Sequence, residues 1–125
     1  MALLQVEKMT HYFGGLRAVH DYDLQIEPGQ IRGLIGPNGA GKTTTMNVLL
    51  GYVNATGGVA ELFGVNVSQP IARQRIGYLP ELTYYYKFLT AEELLRFYAR
   101  IFGLRRAEAD KRIDQLIKLV ELDKV

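Results

Sequence analysis

The sequence predicts an α/β fold, and three observations in its 125 residues carry that expectation. Short apolar or alternating runs bounded by glycine and proline fill the stretch before residue 37, as strands between turns do. A glycine-rich loop ending in Lys-Thr follows one of these runs directly and opens into a helical pattern, GLIGPNGAGKTTT at residues 33 to 45. Beyond residue 90 the apolar residues recur at helical spacing, so strands, loop and helix are followed by a helical segment.

The first run, LLQVEKMT at residues 3 to 10, mixes apolar and polar positions like a half-buried strand, and Gly14 and Gly15 supply a turn after it. A hairpin follows from this, because residues 18 to 26 place Tyr22, Leu24 and Ile26 on one face at period two before Pro28 and Gly29 end the run. IRGLIG, residues 31 to 36, is short, apolar and flanked by glycine, which suits a strand buried on both faces. From Lys42 to Leu50 the residues Met46, Leu49 and Leu50 recur at helical spacing, and Gly51 closes the helix. GGVAELFGVNV, residues 57 to 67, predicts a short strand and turn, and RIGYL at 75 to 79 a further strand stopped by Pro80. Thr90 and Glu93 have the spacing of a capping box, with Leu94, Tyr98, Ile101 and Phe102 on one stripe up to Gly103. A second amphipathic helix runs from about residue 107 to 122, its apolar face formed by Ile113, Leu116, Ile117 and Val120.

Composition narrows the function classes. With 48% hydrophobic and 22% charged residues, the chain falls within the range of one globular domain. Its 15 basic and 13 acidic residues are interspersed and leave a net charge of +2, so no nucleic-acid partner is expected. The lack of cysteine excludes a disulfide framework, a thiolate zinc site and a cysteine nucleophile, and fits a reducing compartment. No export leader is expected, and no apolar run approaches the ~20 residues of a membrane helix, so membrane association is expected only through another chain. His11 and His20 have no partner at metal-ligand or triad spacing and read as surface or strand histidines.

Chemistry is concentrated in the loop. Gly36, Gly41, Lys42 and Thr43 satisfy G-x-x-x-x-G-K-[ST] between a predicted strand and a predicted helix, the arrangement of P-loop nucleoside triphosphate hydrolases. Glycines let successive backbone N–H groups face a polyphosphate, and a helix N-terminus adds its positive dipole end. Lys42 can reach β- and γ-phosphates as a mobile charge, and the hard hydroxyl of Thr43 can ligate Mg²⁺. The guanine-reading sequence N-K-x-D is missing, which argues against a GTPase.

The longer string GPNGAGKTTT, with FGGLRAVHDYDLQIEPGQIRGLI before it and RIGYLPE after it, resembles the ATP-binding cassette family, the ABC transporter ATPases. The resemblance covers essentially the whole chain and about the first half of that family's ATPase domain. It implies an ABC-type fold in part: residues 1 to 80 as the N-terminal part of the ATPase core with its hairpin, phosphate-loop strand and helix, and 81 to 125 as the glutamine-loop position and the start of the helical subdomain. It further implies nucleotide contacts from Gly36, Pro37, Asn38, Gly39, Ala40 and Gly41, a phosphate clamp at Lys42, a metal ligand at Thr43 and an α-phosphate contact at Thr44, with Thr45 as ordinary helix. Phe13 matches the aromatic that stacks on adenine; Tyr12 is the alternative stacker, and an aromatic at a strand's end serves equally well in a core.

Where the family usually has a glutamine that senses metal and water, this chain has Glu81. A carboxylate there could ligate Mg²⁺ or accept a hydrogen bond from water, or be a solvated loop residue. Tyr84, Tyr85, Tyr86 and Phe88 fall where the family faces its membrane subunit and are expected to form a docking patch, packing within the domain being the other reading. The implied cofactors are ATP and Mg²⁺, and the implied partners a transmembrane permease subunit and a second ATP-binding domain. The implied location is cytoplasmic, at the inner face of the cell membrane through the permease. The family's signature motif, metal-binding aspartate, catalytic glutamate and switch histidine are expected downstream of residue 125, so no catalytic residue is assigned within it. Two other functions stay open: a non-transport ATPase of the family, acting in translation or DNA maintenance, and a non-catalytic nucleotide-binding fragment. Without the aspartate-bearing strand that lies beside it in the family, IRGLIG would form an unpaired apolar edge, so the isolated chain is expected to be marginally folded.

Overall fold

The computed structural model describes residues 1–82 and 85–124. The chain forms two compact units, Met1–Gly77 and Tyr78–Val125.

The first unit is built on a four-stranded antiparallel sheet in the order β2-β1-β3-β4, comprising β1 (Leu4–Phe13), β2 (Leu16–Ile26), β3 (Gly57–Leu62) and β4 (Val65–Asn66). Gly14, at φ 58°, and Gly15 join β1 to β2, so Phe13 pairs with Leu16 and Leu4 with Ile26. Along β1 the inward-facing residues are first Leu4 and Val6, then Met9 and His11. The change of phase lies at Lys8, whose φ of 46° marks a bulge where the pairing register shifts. One extra residue reverses which positions face inward. Asp23 stabilises this bulge by accepting a 2.7 Å hydrogen bond from the Lys8 N–H. The turn from β3 to β4 uses Phe63 and Gly64, both at positive φ, as a two-residue hairpin of right-handed twist requires, and the Arg75 guanidinium lies 4.5 Å from the centre of the Phe63 ring.

Helix α1 (Lys42–Leu49) packs against β2 and β3. Its contribution to the core is Val48, which joins Leu4, Val6, Met9, Val19, Ala60, Leu62, Val67 and Ala72. Thr45 is also buried, whereas Met46 is exposed, so the face that packs differs from the one apolar spacing selects. The helix ends in a Schellman motif: the Gly51 N–H donates to Val48 at 3.0 Å and the Tyr52 N–H to Asn47 at 2.9 Å, with Gly51 at φ 75°.

Two expected strands do not form. Residues 31–37 carry no strand, and Ile31 and Ile35 are 98% and 95% exposed. Residues 75–79 carry none either. A strand exists only where a neighbour supplies N–H and C=O groups, and among the described residues neither segment is paired within the sheet. The segment expected as the phosphate-loop strand is therefore an unpaired lead into the loop.

The second unit is an αα-hairpin of α2 (Ala91–Ile101) and α3 (Arg106–Leu119). Thr90 caps α2 in a full capping box, accepting from the Glu93 N–H at 3.1 Å while the Glu93 carboxylate accepts from the Thr90 N–H at 3.3 Å. The small core comprises Ala99, Ala109 and Ile113 with Leu95, Leu104 and Ile117 around it. Tyr98, Ile101, Phe102, Leu116 and Val120, which spacing assigns to the apolar stripes, are instead exposed. Arg96 ties α2 to α3 through Asp110 at 2.5 Å and also pairs with Glu92 of its own helix at 3.1 Å, and these hydrogen bonds raise the guanidinium pKa above its usual value.

Candidate functional site

Because Lys8 shifts the phase of β1, residues 9, 11 and 13 share one face, and Phe13 extends that face past the core. The tight Gly14–Gly15 turn brings Leu16, Arg17 and Ala18 back beside it. Together with residues 37–44 these four line a cleft of about 430 Å³. Tyr12, the other aromatic at the strand's end, is not among its lining residues.

The loop folds on itself through its own backbone. The Ala40 N–H donates to the Pro37 carbonyl at 3.1 Å, and Gly39 lies at φ 87°. The Lys42 ammonium donates to the carbonyl of Gly36 and, at 3.1 Å, to that of Pro37, tying the start of the loop to the start of α1. Gly36 thus supports the loop from outside the cleft lining. Gly41 caps α1 in the left-handed region at φ 89°, packed so closely on β2 that a Cβ would lie 2.7 Å from the Ala18 carbonyl oxygen.

The helix end facing this cleft is open. Gly41 has no side chain to cap α1, and the first intrahelical bonds run from the N–H and the hydroxyl of Thr45 to the Gly41 carbonyl, at 2.9 and 2.8 Å. The preceding N–H groups of Lys42, Thr43 and Thr44 fall outside that ladder. No acidic residue occupies the first turn of α1, and among the described residues the cleft is lined by two cations, Arg17 and Lys42, and no carboxylate. Unpaired N–H groups, a positive helix end and two cations favour an anion. A nucleoside polyphosphate fits this donor set. A divalent ion fits through the exposed Thr43 hydroxyl, with the remaining ligands coming from phosphate oxygens, since no cluster of three metal-ligating side chains occurs among the described residues.

Sequence reasoning passed over Leu16, Arg17 and Ala18. Their signal was the Gly-Gly pair, whose two-residue turn returns residues 16 to 18 alongside residue 13. Of the remaining expected positions, Glu81 is an exposed residue of the second unit. In the same unit Tyr85, Tyr86 and Phe88 are exposed, and Tyr86 contacts the rings of Phe88 and Phe97 at centroid distances of 5.6 and 6.1 Å. Tyr84 lies outside the described residues.

The chain is similar to known proteins in sequence and in fold. The sequence model of the ABC transporter family matches residues 19–125. A Nod factor export ATP-binding protein I of Cupriavidus pinatubonensis is 38% identical over 98% of this chain and 38% of the relative. A bacitracin transport ATP-binding protein of Bacillus licheniformis is 34% identical over 96% of this chain and 39% of the relative. Among solved structures, an ATP-binding subunit of an ABC transporter superposes with a TM-score of 0.84 at 30% identity, over 98% of this chain and 52% of that one. The chain thus spans well under half the length of these curated relatives.

Proposed function

The chain belongs to the ABC transporter family, and from that premise we propose that it binds MgATP in the cleft before α1, as part of the ATP-binding subunit of a transporter. The observation that carries this is the open N-terminus of α1, set behind a G-x-x-x-x-G-K-T loop and flanked by Arg17 and Lys42 with no opposing carboxylate.

Each residue then has a physical task. The N–H groups of residues 41 to 44 donate to phosphate oxygens, and the dipole of α1 favours their charge. Lys42, a compact charge on a flexible stem, exchanges the Gly36 and Pro37 carbonyls for β- and γ-phosphate oxygens. Thr43 ligates Mg²⁺, Thr44 meets the α-phosphate, and Gly36 to Ala40 shape the cradle. Phe13, which lines the same cleft, stacks on the base. Mg²⁺ held through Thr43 would supply charge neutralisation at the phosphates. Glu81 is proposed as a further metal contact, and Tyr84, Tyr85, Tyr86 and Phe88 as a docking patch.

These residues bind and orient, and none of those lining the cleft can act as a general base. Hydrolysis is accordingly proposed for the complete domain paired with a second one. The relatives are named for export and transport, which supports a transporter over a role in translation or DNA maintenance. Among the described residues no helix is long and apolar enough to cross a membrane, so the proposed place at the inner membrane face depends on a permease partner. Residues 1–80 are proposed as core and 81–125 as the start of the helical subdomain. Titration with MgATP tests the reading: saturable binding displaced by pyrophosphate is expected, and binding that pyrophosphate leaves untouched would overturn it.

A further inference from the structure

Against Phe13 of the cleft lies a buried polar side chain that phosphate binding does not use. His11 is 8% exposed, and its Nδ1 reaches no hydrogen-bond partner among the described residues. Buried ring nitrogens are ordinarily paired, and leaving one unpaired costs stability. What this imidazole does contact is Phe13: the ring centroids lie 4.6 Å apart at an interplanar angle of 80°, an edge-to-face pair. Two residues apart on β1, they share a face, the one that the Lys8 bulge turns inward. His11 is enclosed at its base, while Phe13 is 49% exposed and lines the cleft.

We propose that His11 is a positioning residue for nucleotide-base recognition: its ring, fixed by burial, sets the plane in which Phe13 meets a planar heteroaromatic base. The proposal rests on the reading of Phe13 as the base stacker. An exposed phenylalanine at a strand end can turn about χ1 and χ2, and each orientation lost on binding weakens the stack. A rigid neighbour at right angles removes that freedom beforehand. Since the contact with Phe13 is ring against ring and Nδ1 has no partner among the described residues, the contribution is one of ring shape, and another ring should replace it.

Equilibrium titration of the full chain with MgATP and, separately, with magnesium and inorganic tripolyphosphate tests this, because only the first ligand carries a base. His11→Leu is expected to weaken ATP about two- to tenfold, the range of an aromatic pair, and to leave tripolyphosphate affinity unchanged. His11→Phe should restore ATP affinity, and His11→Leu should have no further effect in a Phe13→Ala background. Equal weakening of both ligands by His11→Leu would overturn the proposal, since the histidine would then support the whole cleft. It would also be overturned if Phe13→Ala weakened ATP while His11→Leu did not, if His11→Phe failed to restore affinity, or if the two substitutions were additive. An ATP affinity untouched by Phe13→Ala would instead remove the stacking reading, and the positioning role with it.

Discussion

Gly41→Ala offers a worked test of how the phosphate loop is held. At φ 89° this residue occupies the left-handed region, which costs a residue with a Cβ about 1–2 kcal/mol. The new methyl group would also lie 2.7 Å from the Ala18 carbonyl oxygen and 2.9 Å from Val19 Cγ2. Backbone of a paired strand cannot rotate away as a side chain can, so overpacking should add about 1–3 kcal/mol. The expected total is about 2–5 kcal/mol, a large share of the ~5–15 kcal/mol that holds a domain folded. Gly39→Ala is the internal control: its φ of 87° is nearly the same, but nothing lies within 4 Å of the added Cβ. It should cost only the strain of about 1–2 kcal/mol. Urea unfolding of both variants at constant m-value gives the two numbers. A Gly41→Ala cost no larger than that of Gly39→Ala would refute the claimed packing of loop on strand.

Other perturbations reach different parts of the molecule. Met9→Ala, at a fully buried position in the sheet core, should destabilise the first unit by about 2–5 kcal/mol in the same urea assay. Thr90→Ala removes the hydroxyl half of the capping box and should cost about 0.5–2 kcal/mol, seen as faster amide hydrogen exchange in the first turn of α2. Ile31→Ser with Ile35→Ser should lower binding of a hydrophobic dye, since both side chains lie almost wholly in solvent; undiminished fluorescence would place the exposed apolar surface elsewhere. Glu81→Ala should reduce the dependence of nucleotide affinity on Mg²⁺, and an unaltered Mg²⁺ dependence would remove the proposed metal role.

Local chemistry was legible in the sequence, and partnership was not. The hairpin, the Gly51 terminus and the Thr90 capping box depend on a few neighbouring residues, and each formed as its residues require. The run IRGLIG has the composition of a buried strand, but composition cannot supply a neighbour, and Ile31 and Ile35 stay exposed. The Lys8 bulge was invisible because lysine carries no turn signal, yet it decides that Phe13 and not Tyr12 faces the cleft. In α2 the apolar residues cover more than one stripe, so spacing alone selected Tyr98 and Ile101, while the helix packs through Leu95 and the small Ala99. The loop's glycines and Lys42 stood out in the sequence, but Arg17 became visible only once β2 folded back beside Phe13.

The central claim, that the open end of α1 and Lys42 grip a nucleotide's phosphates, is tested most directly by comparing MgATP affinity of the parent chain and Lys42→Ala. Hydrogen bonds from a charged group contribute about 1.5–3 kcal/mol, so the variant should bind about ten- to a hundredfold more weakly. A Lys42→Ala chain that bound MgATP as tightly as the parent would contradict the account.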